Sequence, residues 1–342
     1  MQTRSRAGPA ILALAITSTA GWADHAGPGG GAASAGPIHT VTAGTLAQGR
    51  WATGLRFSLT RPDQLSDAEL QRRSAAGIDA HDTRYGLIAS VGLAYGLTDD
   101  LMISAELPFV RRDRIREGDA GAGAVDVRGT SQGIGDLSLL LKYRLAHGAH
   151  WGFAAIAGLK APTGTTHRRD LAGARFETEH QPGTGSWDPI GGLAFSAGRG
   201  ANAIDASFLY QRGTLGAQAT RLGDRAEAGL AFSHRFGPVE GGEDHDDGDD
   251  ADGDGRHHHH HHHAALDGII ELNAEWEGRQ TVAGSVDPFS GGRSLWLSPG
   301  LRYVAASDWS LSGSIGVPIY QRIRASHPDN AFRASISLGR SF

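Results

Sequence analysis

The sequence predicts an all-β protein: a transmembrane antiparallel up-and-down β-barrel of about 12 strands, with short periplasmic turns and longer extracellular loops. Three observations carry that expectation. Segments of about ten residues alternate apolar and polar side chains, the period of two that gives a strand unlike faces. The joins between these segments alternate short and long. The last segment, AFRASISLGRSF, alternates down to an aromatic end, Phe342. Such an end suits a closing strand offered to barrel-assembly machinery.

Composition allows this fold and excludes others. No run of about 18 apolar residues follows the amino-terminal stretch, so helical membrane spans are excluded. A mean hydropathy of -0.29 would also suit a soluble protein. A barrel hides its apolar belt by alternation, however, so the average does not decide. With no Cys, disulfides, thiolate metal sites and Cys nucleophiles are absent together. The net charge of -5 shows no basic face, so nucleic acid is not an expected partner; outer-membrane lipid is.

The amino terminus reads as an export signal over residues 1–23. Arg4 and Arg6 supply the positive region and PAILALAITSTA the short apolar one, with cleavage expected after Ala23 or Ala20. Residues 24–46 are small and polar and are expected to form a flexible periplasmic lead-in. The barrel is expected over 47–342.

Strands are expected in order from Arg50–Leu59, with Trp51, Leu55, Phe57 and Leu59 on one face. A polar segment follows, holding a short helix in SDAELQRRSAAG, where Ser66 caps and Glu69 sits three residues on. In Tyr85–Gly96 the tyrosines at 85 and 95 fall ten residues apart, placing them near the two rims of a band ~25 Å tall. Leu101–Val110 comes next, then a long loop over 111–135. Asp136–Leu145 and Trp151–Pro162 pair across a short turn before a second long loop. Pro189–Ala197, Ala201–Gln211, Arg225–Phe236, Leu266–Trp276, Leu295–Val304, Trp309–Tyr320 and Ala331–Phe342 complete the count. Counting back from a periplasmic Phe342, the joins before Trp309, Leu266, Ala201, Trp151 and Leu101 are periplasmic.

Several segments resemble a bacterial outer-membrane family of transporters assigned to the MetA-pathway of phenol degradation. They are Gly133-Ile134-Gly135-Asp136 running into LSLLLKYRL, then Lys160-Ala161-Pro162-Thr163-Gly164, then QPGTGSWD from Gln181 to Asp188. The resemblance covers most of the barrel from Tyr85 onward and implies a bacterial outer-membrane channel or transporter. It carries over no binding residues.

Three sets of residues could carry chemistry. The first is an Asp/His-rich insert at 237–265, expected to be disordered and periplasmic. There His245, Asp250, Asp252 and Asp254 precede seven consecutive histidines, His257, His258, His259, His260, His261, His262 and His263. Imidazoles and carboxylates in many registers suit reversible binding of Zn, Cu or Ni, with no other cofactor expected. Asp250, Asp252 and Asp254 begin like a calcium loop, but its twelfth position is His261 where Glu is needed. The second set lines the lumen: acids Glu106, Asp205, Glu227, Glu271 and Glu275, and bases Arg56, Lys142, Arg144, Lys160, Arg302 and Arg333. Opposed across a lumen these would set up a transverse field; paired, they would plug a narrow barrel. The third is a scatter of loop histidines, of which His81-Asp82 is the nearest to a catalytic pair. No G-x-S-x-G accompanies it, so an enzyme is not expected. The combined expectation is an outer-membrane channel for small solutes or ions with a metal-binding periplasmic loop. The alternative is a channel for aromatic or other hydrophobic compounds with the insert incidental. An outer-membrane hydrolase stands last.

Overall fold

The computed structural model describes residues 36–237 and 264–342. The expected signal, the first part of the lead-in and residues 238–263, with all the insert's candidate ligands, lie outside the described residues. Twelve strands close into one antiparallel barrel. They are β1 Trp51–Pro62, β2 Tyr85–Thr98, β3 Leu101–Asp119, β4 Leu137–Gly148, β5 Trp151–Ala161, β6 Asp188–Arg199, β7 Asn202–Gln211, β8 Arg225–Phe236, β9 Ala265–Glu277, β10 Gly292–Val304, β11 Trp309–Ile323 and β12 Asn330–Ser341. Each pairs with its neighbour in chain order. The barrel shuts where β1 meets β12, with Leu55 opposite Leu338 and Phe57 opposite Ile336. Backbone bonds between Trp51 and Phe342 in both directions, 2.8 and 2.9 Å, fasten the seam at its end.

Alternation decides which side chains meet lipid. Leu55, Phe57, Val91, Leu93, Ile270, Leu301, Ile315 and Ile336 all point outward and are exposed. A belt this large on a single chain is explained by a bilayer, whose hydrocarbon takes the place of a protein core. Aromatic girdles bound it. At the short-turn end stand Trp51, Tyr143, Trp151, Tyr303 and Trp309, with Trp51 and Tyr95 in ring contact at 4.4 Å. At the other end stand Phe109, Trp187, Tyr210 and Tyr320. The chain is an outer-membrane barrel.

Two expectations about order are corrected. The stretch 111–135, expected as a loop, is mostly strand. β3 runs on to Asp119 and pairs with Ala124–Ile134, which continues the line of β4. Its polar residues conceal this, because a strand rising beyond the bilayer loses the need for an apolar face. The lead-in is not loose where it is described. Residues 36–46 run inside the barrel, with Ile38, Thr40, Val41 and Ala43 buried. Val41 and Ala43 pack with Ala154, Ile156, Ala194 and Leu209 of the inner wall.

The loops at the long-loop end fold over the mouth. The helix Asp67–Ala75 begins where Ser66 Oγ accepts from Glu69 N at 3.2 Å. Glu69 does not reach back to complete a capping box; its carboxylate binds Arg73 at 2.6 Å and Arg72. Leu70 is fully buried against the extension of β3. Phe236 and Leu266, which flank the insert, pair with each other at the short-turn end beside Tyr303.

Candidate functional site

The lumen is the first part of the site. Four backbone N–H groups of the inserted segment have left water, so each needs an acceptor. The wall supplies side chains. His39 N donates to both Glu271 oxygens at 3.0 Å, and Thr40 N to Glu271 Oε1 at 2.9 Å. Val41 N donates to Ser207 Oγ at 3.1 Å and Ala43 N to Ser196 Oγ at 2.9 Å. Ser196 in turn donates to Asp205 at 2.5 Å. Lys142 Nζ donates to Thr42 O at 3.0 Å, and Asn273 to Thr40 Oγ1 at 3.3 Å. Gly229 makes room for this path, since a Cβ there would meet Thr40 Oγ1 at 2.7 Å and its Cβ at 3.1 Å.

The other lumen candidates also occupy the inner face, and most are paired. Arg333 binds Glu275 at 2.5 Å and Asn273 at 2.6 Å, and its guanidinium lies 4.7 Å over the Trp296 ring. Arg302 binds Asp267 at 2.7 Å and Arg144 binds Asp100 at 2.7 Å. Arg56 donates to Ser337 at 3.2 Å and shares the lumen with Glu106. Glu227 stands opposite Glu275 in register. The arrangement is a set of local pairs rather than two opposed banks of charge.

At the long-loop end the quoted sequence segments converge. Asp136 Oδ1 accepts from Gly164 N at 2.9 Å, and its Oδ2 from Thr184 N at 2.8 Å and Lys160 Nζ at 2.9 Å. Lys160 also meets Asp188 at 2.9 Å and the hydroxyl of Thr184. A Cβ on Gly164 would lie 2.6 Å from Gly183 Cα, so the two loop backbones touch only because both residues are glycine. All three segments thus form one buried knot that folds the loop after β5 back into the mouth.

Beyond this knot sits a cluster that the sequence did not reveal. His81, from the loop after β1, places Nε2 3.1 Å from His327 Nδ1 in the loop after β11 and 3.4 Å from Glu179 Oε1 in the loop after β5. His327 Nε2 lies 3.7 Å from Glu179 Oε2. His180 packs edge-on against His81 with ring centroids 4.3 Å apart. Burial alone would raise the Glu179 carboxyl, but His81, the hydrogen bond to His327, and His180 outweigh it and hold it below the usual carboxylate range. His81, Glu179 and His180 could hold a metal ion. Read along the chain, these residues are scattered. Their only shared signal is that all lie in joins predicted for the same end of the barrel.

A closed, lipid-belted barrel with a polar, threaded lumen defines the class: a bacterial outer-membrane β-barrel. The family model described as "Putative MetA-pathway of phenol degradation" matches residues 62–273, and the chain belongs to that family. No curated protein matches it. Among solved structures it resembles an outer membrane channel from Pseudomonas putida F1, at 18% identity and TM-score 0.59, covering 90% of this chain and 100% of that one. More distant resemblances are to the NanC porin, at 8% identity and TM-score 0.40 over 86% and 98% of the two chains. The Pseudomonas putida toluene transporter TodX follows, at 10% identity and TM-score 0.38 over 92% and 97%.

Proposed function

We propose that the protein is an outer-membrane channel for small organic solutes, held closed by residues 36–46. The observation that carries this reading is how the segment is held. Beside the small apolar contact of Ile38, Val41 and Ala43, wall carboxylate, hydroxyl and ammonium groups bind backbone atoms of the segment that water could equally satisfy. Exchanging such bonds for water costs little net free energy per bond, about 1 kcal/mol for neutral pairs, so the segment can leave. The family description, with its reference to phenol degradation, favours small aromatic compounds as the solute class.

The test uses the absence of native cysteine. In Thr40→Cys/Gly229→Cys the two Cβ positions lie near 3.1 Å, close enough to bond after slight adjustment. Solute entry into proteoliposomes should fall on oxidation and return on reduction. Entry indifferent to the lock would refute the gate. Hydrolase activity abolished by His81→Ala would refute transport as the function.

The periplasmic insert carries a second reading, reversible capture of Zn, Cu or Ni in support of metal traffic. Seven adjacent imidazoles favour it, together with the position of the flanking residues at the short-turn end. If deleting residues 237–265 changed neither metal tolerance nor conductance, this reading would fall.

A further inference from the structure

We propose that His81, Glu179, His180 and His327 form a divalent transition-metal site, fitting Zn2+ best, that staples three extracellular loops together over the barrel mouth. The site is separate from the histidine run and stands whether or not the barrel conducts.

Geometry supplies the first argument. A tetrahedral zinc with ligands at 2.0–2.1 Å holds its donor atoms about 3.3 Å from one another. His81 Nε2 and Glu179 Oε1 are already 3.4 Å apart, and His81 Nε2 and His327 Nδ1 are 3.1 Å apart. The ligand atoms of His81, Glu179 and His180 all lie within 4.8 Å of one another. Small rotations of rings already in contact would bring these donors around one ion. Three imidazoles and one carboxylate suit transition metals far better than magnesium or calcium, which prefer all-oxygen shells, and the near-tetrahedral spacing favours zinc over nickel or copper.

The second argument is that the ligands ride on backbone already fixed. His81 N donates to Ser326 O at 3.0 Å, which joins the first loop to the one carrying His327. Arg112, buried in the wall, donates to the carbonyls of His180 at 3.2 Å and Gln181 at 3.0 Å. The Gln181 amide donates to Phe176 O at 2.7 Å and Arg168 O at 3.0 Å. A site assembled in advance loses less ordering entropy on binding.

The test is calorimetric titration of the detergent-solubilised full chain with ZnCl2. The background replaces His245 and each residue of His257–His263 with serine, which silences the insert. One zinc equivalent is expected, and Glu179→Gln and His81→Ala should each weaken it by at least about 100-fold, the upper end seen when even supporting groups are lost. Heat-modifiable electrophoretic mobility identifies folded barrel, and His327→Gln replaces any variant that fails to fold. No zinc equivalent in the silenced background, or undiminished affinity in the folded variants, would show that the four residues are only a hydrogen-bonded cluster.

Discussion

Glu271 holds the inserted segment at two consecutive backbone N–H groups, so Glu271→Ala is the sharpest perturbation of the closed state. The carboxylate is fully buried and accepts from His39 N and Thr40 N at 2.9–3.0 Å. A hydrogen bond to a charged group contributes roughly 1.5–3 kcal/mol. Water entering a polar lumen will satisfy part of the loss, so the lower figure applies to each donor and the total is about 3 kcal/mol. At 1.4 kcal/mol per factor of ten, the ratio of open to closed states should rise about 100-fold. The assay is single-channel recording in planar bilayers, scoring the fraction of time spent in the higher-conductance state. Glu271→Gln keeps an acceptor without the charge and should fall between. An open fraction in the folded Glu271→Ala channel equal to that of the wild type would refute the claim that this carboxylate holds the segment in place.

Other perturbations test other parts of the account. Asp136→Ala leaves Lys160 with Asp188 as its one carboxylate partner and Gly164 N and Thr184 N without their acceptor; it should destabilise the barrel by about 3 kcal/mol, the lower range for breaking a buried ion pair, read from urea midpoints in liposomes. Phe57→Arg puts a charge in the mid-belt and should cost roughly 2–4 kcal/mol in the same assay. A stability equal to wild type would mean that Phe57 does not face lipid. His260→Cys, the chain's sole thiol, should react with a membrane-impermeant maleimide in spheroplasts with permeabilised outer membranes and not in intact cells. Labelling in intact cells would put the insert outside. Zinc retention by the full chain should fall when His257–His263 become serine, and unchanged retention would move metal capture away from the insert.

The barrel was legible in the sequence because lipid enforces alternation. Where both faces have a strict environment, as in β2 or β9, the predicted bounds of Tyr85–Gly96 and Leu266–Trp276 fall within two residues of the observed strands. Legibility fails where the environment relaxes. Residues 111–119 and 124–134 form strands above the bilayer, so no apolar face marks them. The inserted segment escaped for a different reason. GPIHTVTAG is small and flexible in composition, and its partners, Glu271, Ser207, Ser196 and Lys142, are more than 95 residues away and are themselves unexceptional lumen residues. Lumen charges could be assigned to the inner face by parity, yet parity does not state pairing. Arg333 and Glu275 lie on strands separated by β10 and β11, and the arginine side chain reaches past both to bind the carboxylate, which no single-strand pattern states. The histidine cluster depends on the fold of three loops, which period-two patterning does not reach.

Conductance of the full chain in planar bilayers, beside a form lacking residues 36–46, tests the central claim most directly. Discrete, infrequent openings are expected for the full chain and a persistent larger conductance once the segment is gone, because the segment fills the space inside the wall where Val41 and Ala43 now pack. A folded barrel without residues 36–46 that conducts no better than the full chain would contradict the account: the lumen would then be closed by the wall and its loops, and the inserted segment would not be a gate.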